Sequence, residues 1–130
     1  MTIPSIKNQK DALSEERKVI LRKALLRMAD YLVFTRRELC SILGLSEASL
    51  SRLYDGKRYI DPTSKEGELA IMMLRLYRSL DILFGGNQKQ CQLWLRSENQ
   101  HLGAIPALMI QSIQGLNLTT QYLDAMRGKI

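Results

Sequence analysis

Basic and hydroxyl side chains are concentrated between residues 36 and 58, and their types suit contact with a nucleic acid. Arginine can donate two parallel hydrogen bonds to guanine, and arginine or lysine can neutralise a phosphate. The candidate DNA-binding residues are Arg36, Arg37, Ser46, Glu47, Ala48, Ser51, Arg52, Lys57 and Arg58. Of these, Glu47, Ala48, Ser51 and Arg52 are expected to face base edges, and Arg36, Arg37, Lys57 and Arg58 are expected to flank the groove and meet phosphates.

Two short helices joined by a tight turn would hold these side chains in place. Thr35 and Glu38 form a capping box that starts the first helix, and Gly44 ends it because glycine tolerates the positive φ of a bend. Ser46 can cap the second helix, and Cys40 is small enough for the point where the helices touch. The inward apolar set is Leu39, Leu43, Leu45, Leu50 and Leu53. This spacing predicts a helix-turn-helix whose second helix enters the major groove.

The charge distribution also favours a polyanionic partner for the N-terminal half. The formal net charge is +6, from 19 Lys and Arg against 13 Asp and Glu. Residues 1–58 carry a net of +5 and residues 59–130 a net of +1. A plain helical corner with solvated arginines stays an alternative, and Glu47 would repel phosphate although it can accept a hydrogen bond from cytosine.

The rest of the chain predicts further amphipathic helices. Ser14 is expected to cap a first helix, with Leu21, Leu25, Met28 and Leu32 at helical spacing. Thr63 and Glu66 form a second capping box, and the apolar stripe that follows runs to Gly85-Gly86, which predicts the longest helix. The remaining signals are Asn87 with Gln90 for a helix start, Pro106 for another that Gly115 closes, and a last helix before Gly128.

No segment shows strand alternation, so the predicted fold class is all-α. A helix-turn-helix bundle is joined by the long helix to a small C-terminal helical domain. The expected divisions are a flexible arm at 1–13, a DNA-binding domain at 14–80 and a second domain at 81–130. Because 130 residues with 45% hydrophobic content can bury a core, no disulfide or metal is needed.

The catalytic and ligand-binding residue types are sparse. Cys40 and Cys91 are interpreted as small buried thiols in a reducing cytoplasm, and His101 is the single histidine, so a four-ligand metal set is not expected. We find no nucleophile-and-base set and no Gly-rich phosphate loop, which predicts that the protein is not an enzyme and uses no cofactor. No stretch approaches the length of a membrane span or a signal peptide, so no membrane association is expected.

The C-terminal third carries an ordered set of motifs: Trp94-Leu95, Asn99, Leu102-Gly103, Pro106, Gly115 and Tyr122-Leu123. In this order, and behind a helix-turn-helix, they resemble the Xre/MbcA/ParS antitoxin family over residues 17–127. The resemblance implies that the second domain binds a toxin. It further implies that the toxin is a RES-domain protein that acts on NAD, that direct binding neutralises it, and that the antitoxin binds operator DNA to repress its own operon.

The toxin-binding candidates that follow from the resemblance are Trp94, Asn99, Leu102, Gly103, Pro106, Arg127, Gly128, Lys129 and Ile130. Trp94, Gly103 and Pro106 also have simple structural explanations, as a core anchor, a turn and a helix start. The basic last residues are better placed for contact, with a frayed tail as the alternative. A homodimer is expected on symmetry grounds. A stand-alone transcription regulator and a pure interaction module stay alternatives to the antitoxin.

Overall fold

The computed structural model describes residues 6–128, with side chains described from residue 8. This part of the chain holds seven helices and no strand, which confirms the all-α prediction. The helices are α1 (Ile6–Tyr31), α2 (Arg36–Leu43), α3 (Glu47–Tyr54), α4 (Lys65–Leu83), α5 (Gln88–Arg96), α6 (Pro106–Met109) and α7 (Ile113–Gly128).

The first helix starts earlier than predicted. Helix α1 begins at Ile6, so the expected start at Ser14 is wrong and residues 6–13 are helical. The segment contains neither glycine nor proline, so nothing in it stops the helix from extending towards the N-terminus. Residues 1–5 of the predicted arm lie outside the described residues. With 26 residues, α1 is also longer than α4, which has 19, so the prediction that α4 is the longest helix is wrong.

The caps around the predicted helix-turn-helix are confirmed. The Thr35 hydroxyl accepts a hydrogen bond from the Glu38 amide at 3.1 Å, and the Glu38 carboxylate accepts one from the Thr35 amide at 2.9 Å. Gly44 ends α2 in the left-handed conformation with φ 69°. The Ser46 hydroxyl accepts from the Ser49 amide at 3.1 Å. Local chemistry alone therefore sets the ends of the turn between α2 and α3.

The predicted second capping box does not form, and α4 has a simple N-cap one residue later. Ser64, not Thr63, caps α4, because its hydroxyl accepts from the Gly67 amide at 3.0 Å. Thr63 instead donates both its amide and its hydroxyl to the carboxylate of Asp61, at 2.9 and 2.8 Å. These two bonds hold the pKa of Asp61 below its usual range. Thr63 therefore bonds to the neighbouring Asp61 carboxylate instead of capping α4, which is the role that the sequence pattern predicts for it.

Gly115 does not close a helix, as the sequence predicts, but lies in the first turn of α7. Helix α6 stops at Met109, and the chain turns back so sharply that a Cβ on Gly115 would lie 1.9 Å from the Met109 carbonyl oxygen. Glycine is required there because backbone approaches backbone, not because a helix ends.

One hydrophobic core runs through both halves of the described chain, with α4 at its centre. Helix α4 packs against α1, α2, α5 and α7, and its Met73, Leu76 and Leu80 are fully buried. Cys91 is buried as predicted, and burial raises the pKa of its thiol to about 11, which keeps it protonated. Cys40 is only half-buried, so the prediction of burial is wrong for that thiol.

Helix α1 ends in a Schellman motif with an unusual residue at its left-handed position. The Phe34 amide donates to the Ala29 carbonyl at 2.9 Å, and the Val33 amide donates to the Asp30 carbonyl at 3.2 Å. Val33 therefore takes φ 58°, although it is β-branched. At the ends of α3 and α4 the corresponding residues are Gly56 and Gly85. The backbone at Val33 is strained in a way that glycine would relieve.

We therefore expect Val33→Gly to stabilise the protein by about 1 kcal/mol, because relief of the left-handed strain exceeds the entropy that glycine adds to the unfolded chain. The measurement is urea unfolding followed by circular dichroism. Val33→Ala is the matched control, since it keeps a Cβ at the strained position. Equal stability of the two variants would contradict the strain at Val33.

Candidate nucleic-acid and protein interfaces

Helix α3 presents the predicted base-contacting side chains outward. Leu50 and Leu53 are fully buried and anchor one face of the helix. On the other face Glu47, Ala48 and Arg52 are exposed, and Ser51 is half-buried. A short helix that projects small and basic side chains from a buried anchor matches the geometry of a recognition helix.

Arg22 of α1 supports the far end of α3, a role that the sequence did not reveal. Its Nε donates to the carbonyl of Leu53 at 2.6 Å, and its Nη2 donates to the carbonyl of Tyr54 at 2.8 Å. These carbonyls are among the last of α3 and have no amide partner within their helix. The only signal in the sequence is an arginine directly beside the apolar stripe of α1. Arg22 therefore fixes the end of α3 relative to α1.

The four predicted phosphate contacts differ in their surroundings. Arg37 and Lys57 are exposed, and within residues 6–128 neither has a carboxylate partner. Arg36 is exposed and lies over the Tyr54 ring, with its guanidinium carbon 4.3 Å from the ring centroid. Arg58 donates from Nη2 to both carboxylate oxygens of Glu66, at 3.0 and 2.9 Å. Because Glu66 partly neutralises its charge, Arg58 is the member of the predicted phosphate-contacting set that its surroundings favour least.

In the C-terminal half, the motif residues build a turn. The Asn99 side chain accepts a hydrogen bond from the Leu102 amide at 3.0 Å, and the Gly103 amide donates to the Asn99 carbonyl at 2.8 Å. Gly103 has φ 74°, which favours glycine. Pro106 is buried at the first position of α6. These residues shape the connection from α5 to α6, and Leu102 is half-buried beside them.

Three stacked rings lie beside this turn. The rings of Trp94 and Tyr122 are 6.3 Å apart and 15° from parallel, and those of His101 and Tyr122 are 6.1 Å apart and 27° from parallel. His101 is exposed, whereas Trp94 and Tyr122 are half-buried. The sequence pointed to the two larger rings but not to His101, because the turn that carries it over Tyr122 is a tertiary feature. We call these three residues the aromatic ladder, and His101 is its exposed end.

The predicted contacts at the C-terminus are only partly within the described chain. Arg127 and Gly128 are exposed in the last turn of α7. Lys129 and Ile130 lie outside the described residues. The described end of α7 thus brings one basic side chain, that of Arg127, to the surface in addition to the aromatic ladder.

A polar clamp joins the two halves through one face of α5. Gln88 and Gln92 donate from Nε2 to the carbonyl of Tyr31 at 3.0 and 2.9 Å. Four residues further on, the Arg96 guanidinium donates to the carbonyl of Val33 at 3.0 Å and to both carboxylate oxygens of Glu38. These bonds link α5 to the connection between α1 and α2. We call Gln88, Gln92, Arg96 and Glu38 the polar clamp.

Tyr31 reinforces the same junction from its side chain. Its hydroxyl donates to Asp81 at 2.7 Å and lies 3.2 Å from the carbonyl of Gly86. The hydrogen bond to Asp81, followed by burial, raises the pKa of Tyr31 to about 12. The phenol therefore stays a donor throughout the physiological range, and it joins α1 to the end of α4.

Two classes of site are not seen in the part of the chain that the structure describes. Among residues 6–128, no cluster of three His, Cys, Asp or Glu side chains could hold a metal ion. None of the described helices is long and apolar enough to cross a membrane.

The fold and these surfaces define a helix-turn-helix protein with an appended helical domain. Comparison with known families identifies the family to which it belongs. Residues 11–75 match the antitoxin Xre-like helix-turn-helix domain. Residues 79–129 match the antitoxin Xre/MbcA/ParS C-terminal toxin-binding domain. The chain belongs to the Xre/MbcA/ParS family of antitoxins. No curated protein matches it significantly.

Proposed function

We propose that the protein neutralises a RES-domain toxin that acts on NAD, and that it represses its own operon by binding operator DNA. The observation that carries this proposal is the presence of both antitoxin family domains on one continuous core. The first domain offers a recognition helix, and the second offers an aromatic ladder and a basic helix end. In this proposal the protein has no catalytic activity, and it acts in the cytoplasm together with the operator DNA that it binds.

The support for operator binding is the exposed face of α3 and its basic surroundings. Arg52 lies on that face, while Arg37 and Lys57 lie on either side of α3 in the chain. Base contacts discriminate between sequences, whereas phosphate contacts strengthen binding to all of them. Because helix-turn-helix proteins commonly read two half-sites about one DNA turn apart, a homodimer is part of the proposal.

We expect Arg52→Ala and Arg37→Ala to weaken binding to the DNA upstream of the gene in different ways. Arg52→Ala should cost about 1–3 kcal/mol on the preferred sequence and relax base preference. Arg37→Ala should weaken binding to every sequence equally and flatten the salt dependence by about one unit. The measurement is fluorescence anisotropy with specific and scrambled duplexes at several salt concentrations. Arg58→Ala is the control, because its ion pair with Glu66 predicts an unchanged salt slope after correction for folding.

For toxin inhibition, we propose that the helical body supplies affinity and that the C-terminal end supplies the block. A RES toxin that acts on NAD must have a pocket for it, and in this proposal Arg127, Lys129 or Ile130 lies at or near that pocket and blocks it. The described structure supports this with the exposure of Arg127 at the end of α7. Trp94 and its neighbours in the aromatic ladder would contribute to the larger contact.

Deleting residues 127–130 should leave the complex intact but restore toxin activity, because a few residues add little to a larger helical interface. The experiment is co-expression with the toxin encoded next to the gene, followed by gel filtration and measurement of NAD consumption. Trp94→Ala is the comparison variant, and it should abolish complex formation itself. If the truncated protein silences the toxin fully, the block comes from the helical body. If no neighbouring toxin copurifies with the intact protein, the proposed function fails.

A further inference from the structure

A long groove follows the seam between α1 and α4. It consists of three cavities of about 370, 240 and 380 Å³. The first and second share Arg17 and Pro62, and the second and third share Ala24 and Leu74, so the three are continuous. Along α1 the groove extends from residue 10 to residue 27. This is roughly 25 Å, the length of a helix of roughly 17 residues.

The floor of the groove is apolar and open to solvent. Ile20 is 58% exposed and Ile71 is 43% exposed, although both lie beside the core of the protein. The middle cavity is lined by apolar side chains apart from Arg17. Leu13 and Ile82 extend the apolar surface towards the two ends. Apolar surface in a continuous concave strip is typical of a site that binds a protein segment.

The rim of the groove is positively charged. Arg17, Arg27 and Arg78 line it, and none of them is paired with a carboxylate among residues 6–128. Two acidic residues, Asp61 and Asp81, also line the groove, and their hydrogen bonds come from neutral groups that do not cancel the carboxylate charge. With Lys10, the lining has four cations against these two carboxylates, so an excess of positive charge borders the apolar floor, which fits a segment of the opposite charge.

The groove lies on the other side of α1 from the recognition helix. Arg22, which donates to the last carbonyls of α3, is two residues from both Ile20 and Ala24. Two residues correspond to about 200° around a helix, so these side chains point in nearly opposite directions. A partner in the groove would leave α3 free for DNA.

We propose that this groove binds an amphipathic helix of a protein partner, with an apolar stripe flanked by acidic side chains. The stripe would cover Ile20 and Ile71, and the acidic flanks would pair with Arg17 and Arg78. A nucleic acid would leave the apolar floor uncovered, and a second copy of the chain, which carries the same excess of positive charge on this face, would complement it less well than an acidic segment. The site is additional to the proposed DNA and toxin contacts, and it does not depend on them.

The test uses the full chain and a labelled 18-residue helical peptide with leucines at helical spacing and glutamates on both flanks. A matched peptide carries lysine in place of every glutamate. Fluorescence anisotropy should show that the acidic peptide binds at least tenfold more tightly than the basic one, with an affinity that falls as salt rises. Ile20→Ser, and Arg17→Glu combined with Arg78→Glu, should each weaken binding at least tenfold. Arg37→Glu, which lies outside the groove lining, should leave it unchanged.

Other results would overturn the proposal. Equal binding of the two peptides, or equal weakening by Arg37→Glu, would remove the groove as the site. A dimer in analytical ultracentrifugation that Ile20→Ser dissociates would show that a second copy covers the face. Preferential binding to vesicles of anionic lipid, abolished by the same substitutions, would assign the surface to a membrane. Since none of these measurements involves the toxin or operator, failure here is distinct from failure of the proposed function.

Discussion

Gly115→Ala is expected to destabilise the protein by about 3 kcal/mol or more and to abolish toxin binding. The added Cβ would lie 1.9 Å from the carbonyl oxygen of Met109 and 2.7 Å from its carbonyl carbon. Both contacts are with backbone, so no side-chain rotation relieves them, and α6 must move away from α7. Such a shift disturbs the buried Ile110 and Leu116, which belong to the shared core.

The matched control is Gly128→Ala in the same helix. Apart from its chain neighbours and the backbone of its own helix, no described atom lies within 4 Å of the Cβ that this substitution adds, so it should leave stability unchanged or raise it slightly through better helix propensity. Thermal unfolding and copurification with the toxin measure both effects. If Gly115→Ala unfolds at the same temperature as the wild type, the close approach of α6 and α7 is wrong.

The features that could be predicted from the sequence are those set by local chemistry. Gly44, Ser46 and the capping box at Thr35 each act within four residues, and all three are confirmed. The order of motifs in the last third identified the family because several specific residues had to recur together. The resemblance could not say which of them touch a partner, and the structure gives Asn99 a role in building the turn.

The features that could not be predicted depend on contacts between distant parts of the chain. The spacing of the sequence does not show that Arg58 and Glu66 form an ion pair. In the sequence Gly115 resembles a helix end, because the pattern does not show that the carbonyl group of Met109 packs closely against it. The bonds of the polar clamp join residues 57 to 63 positions apart, and nothing in the spacing of α5 identifies their partners. The sequence shows which polar groups need hydrogen-bond or ion-pair partners, whereas the packing of the helices determines which residues those partners are.

Arg96→Glu is expected to destabilise the protein by about 2–3 kcal/mol at neutral pH, because it replaces an ion pair at a half-buried junction with two like charges. The Glu38 side chain is only 14% exposed, so solvent screens the repulsion weakly, although Arg96 itself is 40% exposed. The substitution also removes the bond to the Val33 carbonyl. Lys89→Glu makes the same charge change at an exposed position of α5 and should have little effect.

The dependence on pH separates this explanation from a simple loss of packing. Burial alone would raise the pKa of Glu38, but hydrogen bonds from Arg96 and Thr35 outweigh it and hold the pKa below its ordinary value. In the wild type, the stability contributed by Glu38 is therefore present above the ordinary glutamate range and is lost as the pH falls through the lowered pKa. In Arg96→Glu the facing carboxylates raise each other's pKa, so protonation relieves the repulsion. The stability gap between variant and wild type should therefore narrow as the pH falls towards 4, roughly the ordinary carboxyl pKa.

Adding Glu38→Gln to Arg96→Glu, which keeps the capping box, should recover about 1 kcal/mol at neutral pH. Urea unfolding at several pH values measures both, and a gap that is constant with pH would show that Glu38 and Arg96 are not electrostatically coupled.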